Sequence, residues 1–242
     1  MASKGGKRQC HRYAAPKAMK IERKTHTWIT KPAPGPHPTE VSIPLRTLIS
    51  EKLHLGKTAR ETDRIINGGN VLVDGVARRE PKFPVGLMDV VQIPAAGCSY
   101  RMLIDRSGAL TLVRIDQSES SFKLCKVTGK RTISGNRTQL SLHDGRTIIG
   151  NAEAKPNDVL KIGLPDQKII ETLPFKVGAT SLVIGGSNVG MTGTISEVKI
   201  TPGGHPNLIT LKTKSGEIQV PENYVFIIGK DTTCIKVNGD EE

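Results

Sequence analysis

Lys57–Ala77, KTARETDRIINGGNVLVDGVA, writes a short helix, a glycine stop and a tight β-hairpin one after another. Thr58 with Glu61 three residues on forms a capping box, in which hydroxyl and carboxylate take up backbone N–H groups that the first turn leaves unpaired. A helix therefore begins at about Thr58. Ile65 and Ile66 supply its apolar stripe, and Asn67-Gly68-Gly69 offers the left-handed exit that glycine adopts cheaply. Val71 and Val73 then alternate with Leu72, and Asp74-Gly75 suits a two-residue turn with positive φ at both positions, so Val76 starts a return strand. Arg60 and Arg64 lie one turn apart on one helix face, Lys57 stands at the exit of the preceding helix, and Arg78 and Arg79 follow the hairpin. Cations thus gather around one small module.

The flanks extend this module. Ser42–Leu55 has apolar residues at 45, 48, 49 and 53, with Ser42 as cap and Pro44 in the first turn, and predicts a first amphipathic helix that ends at Gly56. After the hairpin, Phe83–Ile93 reads as a turn and a closing strand. Gly56-Lys57-Thr58 looks like the end of a phosphate-cradling loop, but Glu51 occupies the position of the required earlier glycine and the preceding pattern is helical. Nucleotide hydrolysis is therefore not indicated.

The charge has a direction. The chain carries a formal net charge of +12, with nine Lys or Arg and one Glu between Met1 and Lys31, so two-thirds of the excess sits in the first 31 residues. That balance calls for a polyanionic partner, nucleic acid ahead of an acidic membrane surface. Residues 1–39 have too few periodic apolar side chains for a core and read as an extended basic arm, with Pro32, Pro34, Pro36 and Pro38 stiffening its junction. Its cations Lys4, Lys7, Arg8, Arg12, Lys17, Lys20, Arg23, Lys24 and Lys31 are interleaved with His11, Tyr13, His26 and the single Trp28. Cations that meet phosphates, alternating with rings that stack on unpaired bases, suit RNA better than membrane. No apolar run is long enough to span a membrane or act as a secretory signal, which makes a cytoplasmic location the default. Cys10, Cys98, Cys125 and Cys234 lack metal-finger or paired spacing, so neither a zinc site nor a disulfide frame is expected.

Aromatic residues make up only 3% of the chain, while 25 Gly and 15 Pro favour short strands joined by turns. The fold class is therefore α+β, mostly β. We divide the chain into the arm (1–39), a helix–helix–hairpin module (42–99), a central antiparallel β domain (100–172) and a second β-rich unit with the C-terminal tail (173–242). In the central domain, Asp144-Gly145 is a hairpin tip, and no nucleophile pairs with His143 and Asp144 to suggest catalysis. In the last unit, Gly190-x-x-Gly193 followed by Thr194-Ile195 resembles the KOW motif of SH3-like barrels. The loop Pro202-Gly203-Gly204-His205-Pro206 would bring main chain and His205 close to a phosphate backbone.

Leu45–Ile93 resembles the small RNA-binding module named after bacterial ribosomal protein S-four. The matching residues are Thr58-Ala59-Arg60-Glu61-Thr62, Gly69-Asn70-Val71-Leu72-Val73-Asp74-Gly75 and Met88-Asp89-Val90-Val91. That resemblance implies an RNA-facing role for Arg46, Lys57, Thr58, Arg60, Arg64, Arg78 and Arg79. Arm, module, middle β domain, KOW-like unit and the acidic ending Asp240-Glu241-Glu242 together resemble the small-subunit ribosomal protein S-four-e family, more the archaeal than the eukaryotic branch. The resemblance implies a non-catalytic constituent of the small ribosomal subunit, held by rRNA and neighbouring ribosomal proteins, with no cofactor, small-molecule substrate or homo-oligomer. The rival readings are an RNA-modifying enzyme, for which no stretch supplies a catalytic domain, and a translation or transcription regulator built from the same modules.

Overall fold

The computed structural model describes residues 9–150, 153–230 and 232–237; Lys4, Lys7, Arg8 and the acidic ending lie outside them. Two short strands, β1 (Cys10–His11) and β2 (Trp28–Ile29), pair with each other in the N-terminal segment. β3 (Ser42–Pro44) leads into helix α1 (Leu45–Thr47), which continues as a wide π-helical turn over Leu48–Lys52. Helix α2 (Ala59–Asn67) follows, then β4 (Leu72–Val73), β5 (Val76–Ala77), β6 (Pro84–Gly86), β7 (Val90–Ile93), β8 (Cys98–Ile104) and β9 (Leu110–Ile115). A first antiparallel sheet has the order β5-β4-β7-β8-β9, while β3 pairs separately with β6.

Local chemistry explains most of this module. Thr58 caps α2 by accepting a hydrogen bond from the Glu61 N–H at 3.2 Å. The Glu61 carboxylate reaches one residue beyond the cap and accepts from the Lys57 N–H at 2.9 Å. Asp74 and Gly75 both have positive φ, 53° and 76°, the geometry of a two-residue turn whose twist matches its strands. Ser42 does not cap a helix as expected: it is strand residue of β3, paired with Gly86, and the helix starts at Leu45, because Pro44 has extended backbone and cannot donate to a helical turn.

The N-terminal segment departs from an extended arm. Ala15, Met19 and Ile29 are buried in one cluster with Ile43, Leu45, Leu48, Ile49 and Ile66. A few well-spaced apolar side chains are enough to seat residues 10–29 on the module, although they are too few to form a core alone. The proline-rich stretch also lies against the module, where the Ala33 N–H donates to the Lys82 carbonyl at 2.8 Å and His37 is buried beside Gly86.

The break placed between residues 99 and 100 falls inside β8. Gly97, at φ 61°, turns the chain so that β8 pairs with β7 from Val90↔Arg101 to Ile93↔Cys98, and β9 pairs with β8. The runs around 100–115 therefore complete the first sheet instead of opening the second. That second sheet comprises β10 (Phe122–Ile133), β11 (Arg137–Leu142), β12 (Thr147–Ile149), β13 (Val159–Gly163) and β14 (Ile169–Leu173), in the order β12-β11-β10-β13-β14. The third comprises β15 (Thr180–Val183), β16 (Thr192–Lys199), β17 (Leu208–Thr213), β18 (Gly216–Pro221) and β19 (Val225–Gly229), ordered β18-β17-β16-β15-β19. One apolar cluster ties the three sheets together, drawing Leu103 from the first and Met88 from the turn before β7, Phe122, Leu124 and Val159 from the second, and Leu182 and Phe226 from the third.

Candidate nucleic-acid interface

An open groove of about 720 Å³ runs between the N-terminal segment and the two helices. Lys20, His26 and Trp28 line one side; Lys52, His54, Lys57 and Thr58 line the other. Burial depresses the Lys52 ammonium, and Lys20 adds to the effect, so two cations face each other across the groove. Lys20 contacts Asp105 at 3.1 Å, and Lys52 donates to the Lys20 carbonyl at 2.8 Å. Beside the groove, His11 stacks on Tyr13 with ring centroids 5.6 Å apart and meets Trp28 edge-on at 5.3 Å. Tyr13 and Trp28 remain 57% and 55% exposed. Crowded ammonium groups next to half-open rings form a surface suited to phosphates and unpaired bases.

Among the residues singled out from the sequence, several have a different task. Arg12 is buried, ion-paired with Glu51 and bonded to the Glu22 carbonyl, and therefore anchors the N-terminal segment. Arg46 forms a two-pronged pair with Asp63, 2.6 Å on each prong, and reaches Thr30 at 3.3 Å. Arg23 donates to the Tyr13 and Ala15 carbonyls. Each of these guanidiniums is committed to protein acceptors, which sequence spacing does not reveal. Arg78 lies over the Phe83 ring at 4.6 Å. By contrast Lys17, Lys24, Lys57, Arg60, Arg64 and Arg79 are exposed, and Lys31 is half-buried.

The glycines and His205 separate as well. Gly190 has φ +77° and abuts the turn after β8, where an added Cβ would stand 2.6 Å from the Arg106 nitrogen. Gly193 is equally tight against the Lys212 carbonyl, at 2.8 Å. Both glycines let neighbouring backbone pack closely at the position a Cβ would occupy. His205 is exposed on the loop before β17.

A buried ionic cluster, not signalled by any motif in the sequence, sits where the N-terminal segment, the module and the second sheet meet. Lys123, 1% exposed, donates to Asp74 at 2.9 Å, Asp89 at 2.5 Å and Asp144 at 3.1 Å. His37 bonds Asp89 at 3.0 Å, and Arg146 bonds Asp74 at 2.6 Å. Burial works against charge on Lys123, but Asp89 and Asp74 outweigh it and raise the ammonium well above its ordinary value. Burial likewise opposes the Asp89 carboxylate, and Lys123 and His37 hold that group far below the usual range. Burial and the neighbouring Asp89 raise Asp74. Asp74 and Asp144 were legible as turn residues, and nothing in the spacing announces that the same carboxylates turn inward onto a strand lysine. His143 at the second hairpin tip is half-buried, and burial, followed by Lys123, lowers it to about 4. Lys126 ties the second sheet to the third by donating to the carbonyls of Glu222, Asn223 and Val225; burial lowers it to about 8.

A helix pair and hairpin flanked by a seated basic segment, with further β-sheets after it, define a protein of the S4-domain class. Residues 44–91 match the S4 domain, residues 4–40 the RS4NT (NUC023) domain, and residues 96–169 the Ribosomal family S4e. The chain is 42% identical to the small ribosomal subunit protein eS4 of Methanothermobacter thermautotrophicus over 240 residues, covering 99% of each. It is 40% identical to the eS4 protein of Methanocaldococcus jannaschii, covering 98% of this chain and 100% of that one. The crystal structure of the 30S ribosomal protein S4e from Thermoplasma acidophilum superimposes with a TM-score of 0.68 at 39% identity, over 78% of this chain and 95% of that one. The chain belongs to the S4e family of ribosomal proteins.

Proposed function

We propose that the chain is a structural constituent of the small ribosomal subunit that binds and stabilises small-subunit rRNA and has no catalytic step of its own. The observation that carries this reading is the groove, where Lys20 and Lys52 lie close together, with Lys57 and the exposed Trp28 also in its lining. Phosphates entering it would relieve the mutual repulsion of the ammonium groups, and an unpaired base would cover the indole. Arg60, Arg64 and Arg79 widen the basic face beyond the groove. The names of the archaeal relatives agree with this role. Neighbouring ribosomal proteins complete the partner set, and the ribosome places the protein in the cytoplasm. We read the third sheet as a KOW-type, SH3-like barrel that presents the His205 loop to RNA, while Gly190 and Gly193 shape it from within.

The test is binding of the full chain to purified small-subunit rRNA. Trp28→Ala with Lys57→Ala should weaken binding at least tenfold, since stacking on one base alone is worth about 1–3 kcal/mol. Affinity equal to the unaltered protein would refute the groove.

A further inference from the structure

The hairpin of β10 and β11 projects from the second sheet. β10 is twelve residues long, but burial is confined to Phe122–Val127. Beyond the register shift between Val127 and Gly129, both strands, apart from the buried Leu140, and the tip Ser134-Gly135-Asn136 are exposed or half-exposed. The pairing Arg131↔Gln139 and Ile133↔Arg137 fixes the faces. Directly paired residues share a face of the ribbon, as do residues two apart along a strand. Arg131 and Arg137 are therefore diagonal neighbours on one face, and Arg131 Nε donates to Gln139 Oε1 at 2.8 Å, which aims the guanidinium across the ribbon. No Asp or Glu occurs between Glu119 and Asp144, so no carboxylate on either strand answers these cations.

We infer that this ribbon is a second RNA-binding element, distinct from the groove, that takes the phosphates of a base-paired stem. The inference rests on the RNA-binding role proposed above. A guanidinium can donate two parallel N–H groups to phosphate oxygens, and a phosphate lying between two neighbouring guanidiniums relieves their mutual repulsion. The tip has no aromatic ring, so it offers no platform for unpaired bases. Its largest apolar residue is the half-buried Ile133, too little to anchor a protein partner's core. Recognition of duplex RNA runs mainly through backbone and shape, the contacts this ribbon is equipped to make.

The experiment compares three full-length proteins on small-subunit rRNA: unaltered, Arg131→Gln with Arg137→Gln, and Trp28→Ala with Lys57→Ala. The ribbon variant should bind at least tenfold more weakly near 0.15 M salt. It should also lower the slope of log affinity against log salt by roughly 2, about one for each lost phosphate contact. Its unfolding midpoint should stay unchanged, because both arginines are exposed. A photo-crosslinking amino acid in place of Ser134 should mark paired nucleotides. If the ribbon variant keeps full affinity and slope while the groove variant weakens, the ribbon inference falls and the groove reading stands. If the unaltered protein does not bind, or both variants bind like it, both readings fall. Crosslinks from position 134 to protein alone, or to unpaired nucleotides, also overturn the ribbon.

Discussion

Lys123 is the side chain on which the interior depends most. One ammonium answers three buried carboxylates, so removing it strands charges that have no access to water. Lys123→Met should lower stability by about 3–5 kcal/mol in urea denaturation, whereas Lys24→Met on the surface should change it by less than about 0.5 kcal/mol. His143 gives a second test, with a definite sign. The folded protein holds it near pKa 4, against 6.5 as its ordinary value. As pH falls from about 6.5 to about 4, the unfolded chain takes up this proton and the folded one does not, so folding loses on the order of 3 kcal/mol over that window. His143→Gln should flatten the stability profile between those limits; an unchanged profile would rule this histidine out as the cause. On the binding side, Arg60→Glu should weaken RNA binding more than Lys168→Glu, because Arg60 belongs to the basic module and Lys168 stands on an exposed turn beside Asp166. Equal effects would tell against that face.

The elements whose making is local were readable in advance, and those made by distant contacts were not. The α2 cap at Thr58 and the Asp74-Gly75 turn depend on neighbours within a few residues, and both are where the pattern puts them. The seating of the N-terminal segment depends on Met19 and Ile29 meeting Leu45 and Leu48, which no local periodicity encodes. The same is true of β8, whose partner β7 lies across a tight turn at Gly97 and whose place in the first sheet hides the break expected there. At the site, the exposed cations of α2 and the aromatic interleaving were legible. The conversion of Arg12 and Arg46 into internal ties was not, because their partners Glu51 and Asp63 are 39 and 17 residues away. Gly190 is an element-scale test of this distinction. Gly190→Ala combines a positive φ with a contact at 2.6 Å against backbone, and should destabilise the protein by about 1–3 kcal/mol while leaving RNA affinity at saturating folded protein unchanged. Lost affinity without lost stability would instead return this glycine to the binding face.

For the molecule as a whole, one apolar cluster reaches all three sheets, and exposed cations stand on the N-terminal segment, the helix pair and the β10–β11 ribbon, among other places. A folded chain with separated basic surfaces gains affinity because the first contact makes the later ones intramolecular, and specificity then follows from the spacing of the contacts. Several acidic residues are committed to internal ties: Asp74, Asp89 and Asp144 surround Lys123, Asp74 also holds Arg146, and Glu51 and Asp63 hold arginines. The most direct measurement of the central claim is the affinity of the full chain for small-subunit rRNA over a salt series from 50 to 200 mM. If about six to ten phosphates are neutralised, affinity should fall by roughly 10³ to 10⁵ over that range. A flat salt dependence would contradict the account.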